Sequence, residues 1–331
     1  MASSALSGSA LVLVTGGAGF IGSHTVDRLV EAGCRVIVVD DFSTGHRANL
    51  TQWSGDRRVE IIEADIAEDL FEPLAAVTRG DPRVDAVIHL AAQTAVSRSI
   101  EDPLSDLRVN YSGTVRVLEY ARRADVKKVI LASSSAVYGN DVNLPLSEEA
   151  ATRPLSPYGV NKLSSERFLD CYASIWGLRW TAFRFFNVYG PRQDPGSPYS
   201  GVTSILAKQA LSGEPLTIDG DGGQTRDFVF VSDVARAVAD ACLKDVADRA
   251  IINLGSGIET SINQLAGMLL ELTGAKSELR HAPPRAGDIR RSVARIDRAK
   301  SALGYEPTVP LRDGLQETLD WMRGSMSGLG P

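Results

Sequence analysis

T-G-G-A-G-F-I-G-S-H, residues 15–24, joins a short apolar run to a segment with helical character. The apolar run, L-V-L-V at 11–14, is typical of a buried parallel strand. Gly16, Gly19 and Gly22 recur at every third position, and the stretch also contains the pattern GxGxxG. Without side chains, these glycines allow a tight turn and a close approach of backbone to a pyrophosphate, which the first N–H groups of the following helix would bind. We therefore predict a strand–turn–helix unit that binds a dinucleotide.

Strands and helices alternate from this turn to about residue 186. Apolar runs predict strands at 11–14, 35–39, 59–62, 85–90, 127–132 and 179–186, and helical patterns predict helices at 21–32, 104–124 and 157–176. Alternation at this spacing is typical of a parallel sheet with helices on both faces. The predicted fold class is therefore α/β, with a doubly wound parallel sheet of the Rossmann type.

The character of the chain changes after Gly190. Residues 190–201, G-P-R-Q-D-P-G-S-P-Y-S-G, are rich in proline, glycine and polar residues and predict a loop. Shorter elements follow, with helices predicted at 202–212, 232–244 and 261–273 and strands at 215–218, 226–231 and 250–254. We predict a nucleotide-binding domain over 1–189, with returning segments near 226–256, and a smaller C-terminal α/β domain over 190–331. The expected site is the cleft between them.

The composition argues against several classes of protein. The 331 residues carry a formal net charge of -6, so there is no basic surplus to bind nucleic acid or an acidic membrane. The four histidines and three cysteines are scattered, without the spacing of a metal site. No apolar run approaches the ~18 residues of a membrane span, and the N-terminus lacks the basic residues of a signal peptide. We expect a cytoplasmic enzyme with reduced, buried thiols.

Acidic residues after the second and third predicted strands bear on which dinucleotide binds. Asp40 ends the second strand, 18 residues beyond Gly22. A carboxylate there can accept both ribose hydroxyls and repels a 2′-phosphate, which favours NAD over NADP. Arg47 is close enough in sequence to keep NADP open. Asp65 follows the third strand and has two interpretations, a contact to the adenine amino group or a loop or N-cap role.

A serine run and a tyrosine–lysine pair supply candidate catalytic groups. Residues 133–139 read S-S-S-A-V-Y-G, and residues 156–162 read S-P-Y-G-V-N-K. Ser156 suits a helix N-cap and the proline after it suits the first helical position. Tyr158 then lies in the first turn, and Lys162, four residues on, shares its face of the helix.

This arrangement suggests proton transfer. A free tyrosine titrates near pKa ~10. A nearby lysine, the helix N-terminus and a bound nicotinamide would each favour the phenolate, so we expect the pKa of Tyr158 to fall towards neutrality. Tyr158 would then act as a general base, a serine hydroxyl would relay the proton, and Lys162 would also hold the nicotinamide ribose.

These motifs resemble the extended short-chain dehydrogenase/reductase family over nearly the whole chain, from about Leu11 to Trp321. Further matching stretches are H-L-A-A-Q at 89–93, Asn110, R-F-F-N-V-Y-G-P-R-Q at 184–193, T-R-D-F-V-F-V-S-D-V at 225–234 and P-P-R-A-G-D-I-R-R-S at 283–292. Within the family the chain is most similar to the UDP-glucose and UDP-N-acetylglucosamine 4-epimerases. Such enzymes pair through long helices, so the resemblance implies a homodimer through helices 104–124 and 157–176.

The resemblance assigns roles residue by residue. It implies that Ser134, with Ser135 as runner-up, relays the proton, that Tyr158 is the base and that Lys162 assists it. The implied NAD contacts are Gly16, Gly19, Phe20, Ile21, Gly22, Asp40, Asp65, Ile66, Leu90, Ala91, Ala92, Asn110, Tyr158, Lys162 and Phe185. The implied contacts to a UDP-sugar substrate are Ser134, Ser135, Tyr158, Asn187, Arg226, Arg285, Asp288 and Ser292. The arginines within 283–291 also allow a different interpretation, a solvated basic face.

The resemblance further separates reactions within the family. Dehydratases carry an acidic pair, and decarboxylases a glutamate, where this chain has Ser134, Ser135 and Ala136. Their absence favours 4-epimerisation through a transient 4-keto sugar over dehydration or decarboxylation. Ser292 stands where a bulky aromatic excludes N-acetyl sugars, so its small side chain implies activity on both UDP-glucose/galactose and their N-acetyl forms. Another enzyme of the family, including a reductase, and a non-catalytic NAD sensor remain the alternatives.

Overall fold

The computed structural model describes residues 6, 10–78, 83–140, 143–196, 201–284 and 289–326. Its strands are β1 (Leu11–Thr15), β2 (Arg35–Asp40), β3 (Val59–Glu63), β4 (Ala86–His89), β5 (Lys128–Ser134), β6 (Arg179–Phe185), β7 (Asn187–Tyr189), β8 (Leu216–Asp219), β9 (Thr225–Phe230), β10 (Ala250–Leu254), β11 (Glu259–Ser261) and β12 (Leu279–Ala282). Its α-helices are α1 (Phe20–Glu31), α2 (Phe71–Val77), α3 (Val96–Glu101), α4 (Pro103–Asp106), α5 (Thr114–Arg123), α6 (Pro157–Trp176), α7 (Val202–Ser212), α8 (Val231–Leu243), α9 (Ile262–Thr273), α10 (Asp297–Leu303) and α11 (Leu311–Met326). Shorter helical turns are a 3-10 helix at Arg47–Trp53, a π-helix at Leu107–Gly113 and a 3-10 helix at Ser135–Val137.

A parallel sheet of seven strands, in the order β10-β6-β5-β4-β1-β2-β3, forms the centre of the molecule. Both of its faces are covered: Val12 and Val14 of β1 enter one apolar cluster, and Leu13 between them enters the other. The prediction of a doubly wound parallel sheet is confirmed. The strand order reverses between β1 and β4, so their carboxyl ends border the crevice in which such folds bind ligands.

Local sequence signals define the long helix α6. Ser156 caps its start by accepting a hydrogen bond from Gly159 N at 3.2 Å, and Pro157 occupies the first turn. Gly177 ends it in the left-handed conformation at φ 74°. The helix therefore has the predicted bounds, 157–176, and the first six predicted strands agree with β1 to β6 within one or two residues.

The helix predicted at 104–124 is wrong as one regular helix. The segment begins as α4, continues as the π-helix Leu107–Gly113 and ends as α5. A π-helix widens the turn and frees backbone groups from the i→i−4 pattern. Here the carbonyl of Asn110 accepts the hydroxyls of Thr114 at 2.7 Å and Ser165 at 3.2 Å. Apolar periodicity does not distinguish an α-helix from a π-helix over so short a stretch, so the π-helix was not predicted from the sequence.

The C-terminal part forms two small sheets, β11-β9-β7 and β12-β8, around a third apolar cluster that includes residues of α7, α9 and α11. Of the predicted returning segments, β10 joins the main sheet and α8 packs against α1, whereas β9 belongs to a small sheet. The division into two domains at residue 189 stays a prediction. Elements that the sequence analysis did not predict include α2, α3, α10, α11, β7, β11 and β12, several of them too short to show a clear period.

Within the described residues, no helix is long and apolar enough to cross a membrane. The same residues contain no cluster of three or more histidine, cysteine or acidic side chains able to hold a metal ion. Cys34 and Cys242 are buried free thiols, as expected, but Cys171 is exposed, because it lies on the outer face of α6.

Candidate active site

The backbone of the glycine turn forms a concave surface that side chains at its glycine positions would fill; we call it the glycine cradle. Gly16 has φ +70°, and a Cβ added to it would lie 2.6 Å from the nitrogen of Ala91. A Cβ added to Gly22 would lie 2.0 Å from the carbonyl oxygen of Gly16. Gly19 is the N-cap of α1 and offers no capping side chain, so the N–H groups of the first turn, which contains Phe20 and Ile21, face the turn uncapped. This geometry fits a pyrophosphate.

Asp40, at the carboxyl end of β2, lies beside this turn. One carboxylate oxygen accepts a hydrogen bond from Ala18 N at 2.9 Å, and the other accepts one from Phe42 N at 2.9 Å. Burial raises the pKa of Asp40, and these two N–H groups act in the opposite direction. A Cβ added to Gly45 would lie 2.7 Å from the carboxylate, so the backbone closes tightly around it. Each oxygen keeps acceptor capacity for a ribose hydroxyl.

Arg47 and Asp65, the two ambiguous residues near the adenosine end, both have protein partners. Arg47 donates to Glu63 at 2.6 Å and covers the ring of Phe42, so its guanidinium is engaged with Glu63. Asp65 accepts from Arg108 at 2.6 Å and from Ala67 N at 2.8 Å, which matches its interpretation as a loop acid. Its contact to adenine stays a prediction.

The segment after β4 passes directly behind the glycine turn. Leu90 N donates to Thr15 O at 3.0 Å, and Ala91 N approaches Thr15 Oγ1 at 3.4 Å. Ala92 follows in the same stretch. Ile66 is buried against Gly113, where an added Cβ would lie 2.8 Å from Ile66 Cδ1. Leu90 and Ala91 therefore lie beside the turn, and the coenzyme contacts of Ala92 and Ile66 stay predictions.

His89 is a buried residue to which the sequence analysis gave no role. Its Nδ1 lies 2.7 Å from Thr15 Oγ1, and its Nε2 lies 3.0 Å from Thr114 Oγ1. Because Thr114 already donates to the carbonyl of Asn110, it accepts from Nε2–H, which leaves Nδ1 to accept from Thr15. Burial lowers the pKa of His89 to about 3, so the ring is neutral. The sequence feature that could have indicated a role for His89 was its place in the stretch H-L-A-A-Q.

The structure brings Ser134, Tyr158 and Lys162 together. Ser134 lies close enough to Tyr158 for its hydroxyl to lower the pKa of the phenol. Lys162 Nζ lies 5.8 Å from the centroid of the Tyr158 ring and donates to Ala132 O at 3.0 Å. Phe185 is the register partner of Ser134 on the neighbouring strand, so its ring lies at the same end of the sheet. Tyr158 and Lys162 are 8% and 4% exposed, which shields the group from bulk water.

The prediction that Lys162 lowers the pKa of Tyr158 is wrong for the protein without bound coenzyme. Burial raises the pKa of Tyr158 to about 12, Ser134 opposes this by hydrogen bonding, and the Asp106 carboxylate adds to the increase. Burial also lowers the pKa of Lys162 to about 8, which Asp106 opposes. The sequence shows the spacing of the pair but not how completely the fold removes it from water.

Further predicted substrate residues follow the ends of β5 and β6 or lie in the C-terminal part of the chain. Asn187 begins β7, directly after β6, and Ser135 begins the 3-10 helix that follows β5. Arg226, on β9, donates to the carbonyl oxygens of Thr225 at 2.7 Å and Ile289 at 2.6 Å. Ser292 is buried, at 5% exposure. Arg285 and Asp288 lie outside the described residues.

The two other arginines of the 283–292 stretch have partners on the surface. Arg290 donates to both oxygens of Asp221, at 2.7 and 3.0 Å. Arg291 donates to both oxygens of Glu259, at 2.7 Å each. Their guanidinium groups therefore match the alternative of a solvated basic face more closely than a diphosphate site.

A buried ion pair contacts the serine run through Ser133. The sequence analysis did not predict this pair. Glu166 accepts two hydrogen bonds from Arg184, at 2.9 and 2.8 Å, and one from Ser133 Oγ at 2.5 Å. Both charged side chains are almost completely buried, at 1% and 3% exposure. The pair thus links α6 and β6 to the strand end that carries Ser134. Glu166 lies one helical turn after Lys162, and this spacing was the sequence feature that could have indicated its place beside the site.

We expect Glu166→Gln to lower the free energy of unfolding by about 3–5 kcal/mol, because it leaves the buried Arg184 guanidinium without a counter-charge. Urea unfolding followed by circular dichroism measures this change. Glu31→Gln is the matched control, since Glu31 pairs with Arg28 on the surface at 3.6 Å, and we expect it to cost at most about 1 kcal/mol. Equal losses in the two variants would contradict the role of the buried pair.

Comparison with known proteins shows the family. A model of the NAD dependent epimerase/dehydratase family matches residues 12–255. A putative UDP-glucose 4-epimerase of Methanocaldococcus jannaschii is 39% identical over 317 residues, which cover 95% of this chain and 99% of the relative. A UDP-glucose 4-epimerase of Mycolicibacterium smegmatis is 41% identical over 313 residues, covering 94% of this chain and 98% of the relative.

Solved structures agree with this assignment. The crystal structure of a UDP-glucose 4-epimerase from Thermotoga maritima with UDP-glucose has a TM-score of 0.89 at 40% identity, covering 96% of this chain and 99% of that chain. A UDP-glucuronic acid 4-epimerase from Bacillus cereus, solved with UDP-glucuronic acid and NAD, has a TM-score of 0.87 at 33% identity, covering 95% and 99%.

Another relative is named for a different reaction. A UDP-glucuronic acid decarboxylase 1 of Xenopus tropicalis is 35% identical over 317 residues, covering 94% of this chain and 72% of the relative. Similarity alone therefore leaves the sugar open. The resemblance inferred from the motifs is confirmed, and so is NAD as the cofactor, which the glycine cradle and Asp40 fit. The chain belongs to the NAD dependent epimerase/dehydratase family.

Proposed function

We propose that this enzyme inverts C4 of UDP-hexoses, interconverting UDP-glucose and UDP-galactose and, in the same way, their N-acetyl forms. The observation that carries the proposal is the buried group of Ser134, Tyr158 and Lys162 at the carboxyl ends of β5 and β6, next to a turn that fits NAD. The 4-epimerase relatives, at 39% and 41% identity over almost the whole chain, support the same reaction.

Each side chain of the group has one task in this reaction. Tyr158 takes the proton from the C4 hydroxyl as the phenolate, the form that the positive charge of bound NAD and the Lys162 ammonium would favour against burial. The Ser134 hydroxyl beside it holds the sugar oxygen and relays the proton. Bound NAD supplies the acceptor and donor of the C4 hydride. The transient 4-keto sugar then turns over in the site, and Tyr158 returns the proton when the hydride comes back to the other face. The substrate is consumed without net oxidation.

Inversion requires a tight grip on the nucleotide and a loose grip on the sugar. In our proposal Asn187 and Arg226 hold the diphosphate, and Arg285 and Asp288 complete the UDP site. The sugar side offers small hydroxyl side chains at 134, 135 and 292. This contrast allows the ketone to rotate while the UDP stays in place.

The serine run argues against elimination. Ser134, Ser135 and Ala136 provide no carboxyl group that could act as a second acid or base on C5 or C6 of the sugar. The 4-keto intermediate can therefore return only by hydride transfer. This distinguishes the proposed reaction from dehydration and from the decarboxylation named for some relatives.

A product assay tests the function. The purified enzyme is incubated with UDP-galactose without added NAD, and nucleotide sugars are separated by liquid chromatography. We expect UDP-glucose at equilibrium and no net NADH absorbance at 340 nm. Net NADH, a dehydrated sugar, or turnover confined to UDP-glucuronic acid would overturn the proposal. An inactive protein whose NAD binding is unaffected by Tyr158→Phe would favour the sensor alternative.

Ser292 tests the acceptance of N-acetyl sugars. We expect Ser292→Tyr to lower kcat/KM for UDP-N-acetylglucosamine by about 100-fold, because the ring occupies the space of the acetyl group, and to change kcat/KM for UDP-glucose only a few-fold. Steady-state kinetics with both substrates measures the ratio. Ser292→Ala, which keeps the side chain small, should leave the ratio unchanged. Equal losses on both sugars in the tyrosine variant would contradict a gate at this position.

An exposed apolar surface supports the proposed homodimer. Its side chains lie on α3, α4, the π-helix and α6, and are Val96, Ile100, Leu104, Leu107 and Val160, between 43% and 77% exposed. Contiguous apolar side chains on neighbouring helices are typical of a helix–helix interface between subunits. We expect sedimentation equilibrium to give twice the mass of the 35.4 kDa chain. The proposed location is the cytoplasm.

A further inference from the structure

Asp106, the last residue of α4, is a buried carboxylate that accepts its hydrogen bonds from side-chain amides. It is 1% exposed. One of its oxygens accepts from Gln93 Nε2 at 2.8 Å and from Asn110 Nδ2 at 2.7 Å, and the other accepts from Asn161 Nδ2 at 2.7 Å. Within the described part of the chain, no lysine or arginine forms an ion pair with it.

This arrangement is physically unusual. A carboxylate taken out of water without a cationic partner is costly, and neutral hydrogen-bond donors recover only part of that cost. A neutral side chain of the same size would fill the same space more favourably. A buried charge of this kind therefore suggests a use for the charge itself.

The three amides come from three different parts of the site. Gln93 follows β4 in the segment behind the glycine turn, and Asn110 lies in the π-helix. Asn161 lies in α6, between Tyr158 and Lys162. Asp106 therefore links the first turn of the catalytic helix to the two segments that border the crevice.

We propose that Asp106 is a positioning residue of the active site, which orients the start of α6 through Asn161 and supplies a negative charge to the buried surroundings of Lys162. The kinetic part of this inference rests on the proposed function, whereas the charge on Lys162 can be measured whatever the substrate. Neither the glycine turn nor the serine run contains a second acid that could take this role.

The groups around Lys162 support this assignment. On its own helix, burial raises the pKa of Tyr158 to about 12 in the protein without coenzyme, and the charge of Glu166 is compensated by Arg184 from β6. From β4, His89 is neutral. Burial lowers the pKa of Lys162 to about 8, and the Asp106 carboxylate is the group that acts in the opposite direction. Without this carboxylate, the lysine would lose its proton at lower pH.

The test compares two variants that separate charge from tethering. Asp106→Asn removes the charge at nearly constant shape, and the Asn161 amide can turn over to accept from the new amide. Asn161→Ala removes the tether to α6 and keeps the charge. Asp102→Asn, which removes an exposed carboxylate at the start of the same helix, is the matched control. All are studied as purified enzymes loaded with NAD.

Lys162 is titrated by NMR in protein labelled at the lysine side chains. With seven lysines in the chain, Lys162→Met identifies the resonance. We expect Asp106→Asn to move the titration of Lys162 to lower pH and to lower kcat roughly tenfold or more, with little change in KM. We expect Asn161→Ala to lower kcat without moving the titration, and Asp102→Asn to change neither.

An unmoved Lys162 titration in a folded Asp106→Asn protein would overturn the inference. So would a kcat in the same variant equal to that of the wild type. A wild-type enzyme that lacks epimerase activity would instead refute the proposed function, and the titration would still decide the role of Asp106. Thermal unfolding of each variant gives the temperature below which it is folded, and both the titration and kcat are measured there.

Discussion

Tyr158→Phe is expected to lower kcat for UDP-galactose roughly a thousandfold, because a positioned acid–base group contributes about 10²–10⁴-fold. The variant removes the phenolic oxygen beside Ser134 and leaves the ring in its buried position. Binding of NAD and of the UDP-sugar should change little, since neither the glycine turn nor the proposed contacts to the UDP diphosphate include that oxygen. Stopped-time chromatography of the products, with calorimetry for binding, measures both quantities.

Tyr172→Phe is the matched control on the same helix. Tyr172 donates its hydroxyl to Glu119 on the outer side of α6, away from the crevice, so its loss should leave kcat unchanged. A Tyr158→Phe enzyme that inverts sugars at the normal rate would refute the assignment of the base. So would an equal loss of activity in the two variants, because it would point to a general effect on the helix.

Gly22→Ala is expected to abolish measurable NAD binding, a loss of at least about 100-fold in affinity. The added Cβ would lie 2.0 Å from the carbonyl oxygen of Gly16 and 2.8 Å from the Cα of Gly17, distances that no backbone contact tolerates. The turn must therefore open, which moves the N–H groups at the start of α1 away from the phosphates. Titration of the coenzyme-free protein with NAD by calorimetry measures the loss.

Gly267→Ala provides the control for the substitution itself. Gly267 lies inside α9, where an added Cβ would meet nothing within 4 Å. Alanine there should raise the free energy of unfolding by about 0.5–1 kcal/mol, since glycine is the poorer helix former, and NAD binding should be unchanged. Normal NAD affinity in a folded Gly22→Ala protein would show that the turn does not bind the pyrophosphate.

The features that local sequence specifies were predictable. The apolar run of β1, the glycine spacing and Asp40 lie within one strand–turn–helix–strand unit, so their mutual position follows from the geometry of that unit. The N-cap Ser156 and the cap Gly177 likewise gave the bounds of α6. The serine run and the tyrosine–lysine pair were recognisable because each lies at the end of a predicted element.

The features that depend on tertiary environment were not predictable. The direction of the Tyr158 pKa follows from burial under several elements and not from the spacing of its lysine. The π-helix around Asn110 is bonded by Ser165 of α6, 55 residues away in the chain, a contact that sequence spacing does not indicate. The partners of Arg290 and Arg291 come from Asp221 and Glu259, which sequence spacing could not indicate.

The edge strand β10 has a consequence for fragments of this protein. It comes from residues 250–254 and pairs with β6, while α8, just before it, covers α1. A polypeptide ending at residue 189 would leave the amide edge of β6 unpaired and one apolar layer uncovered, a combination that promotes aggregation. During synthesis the coenzyme-binding half therefore stays incomplete until most of the chain has left the ribosome.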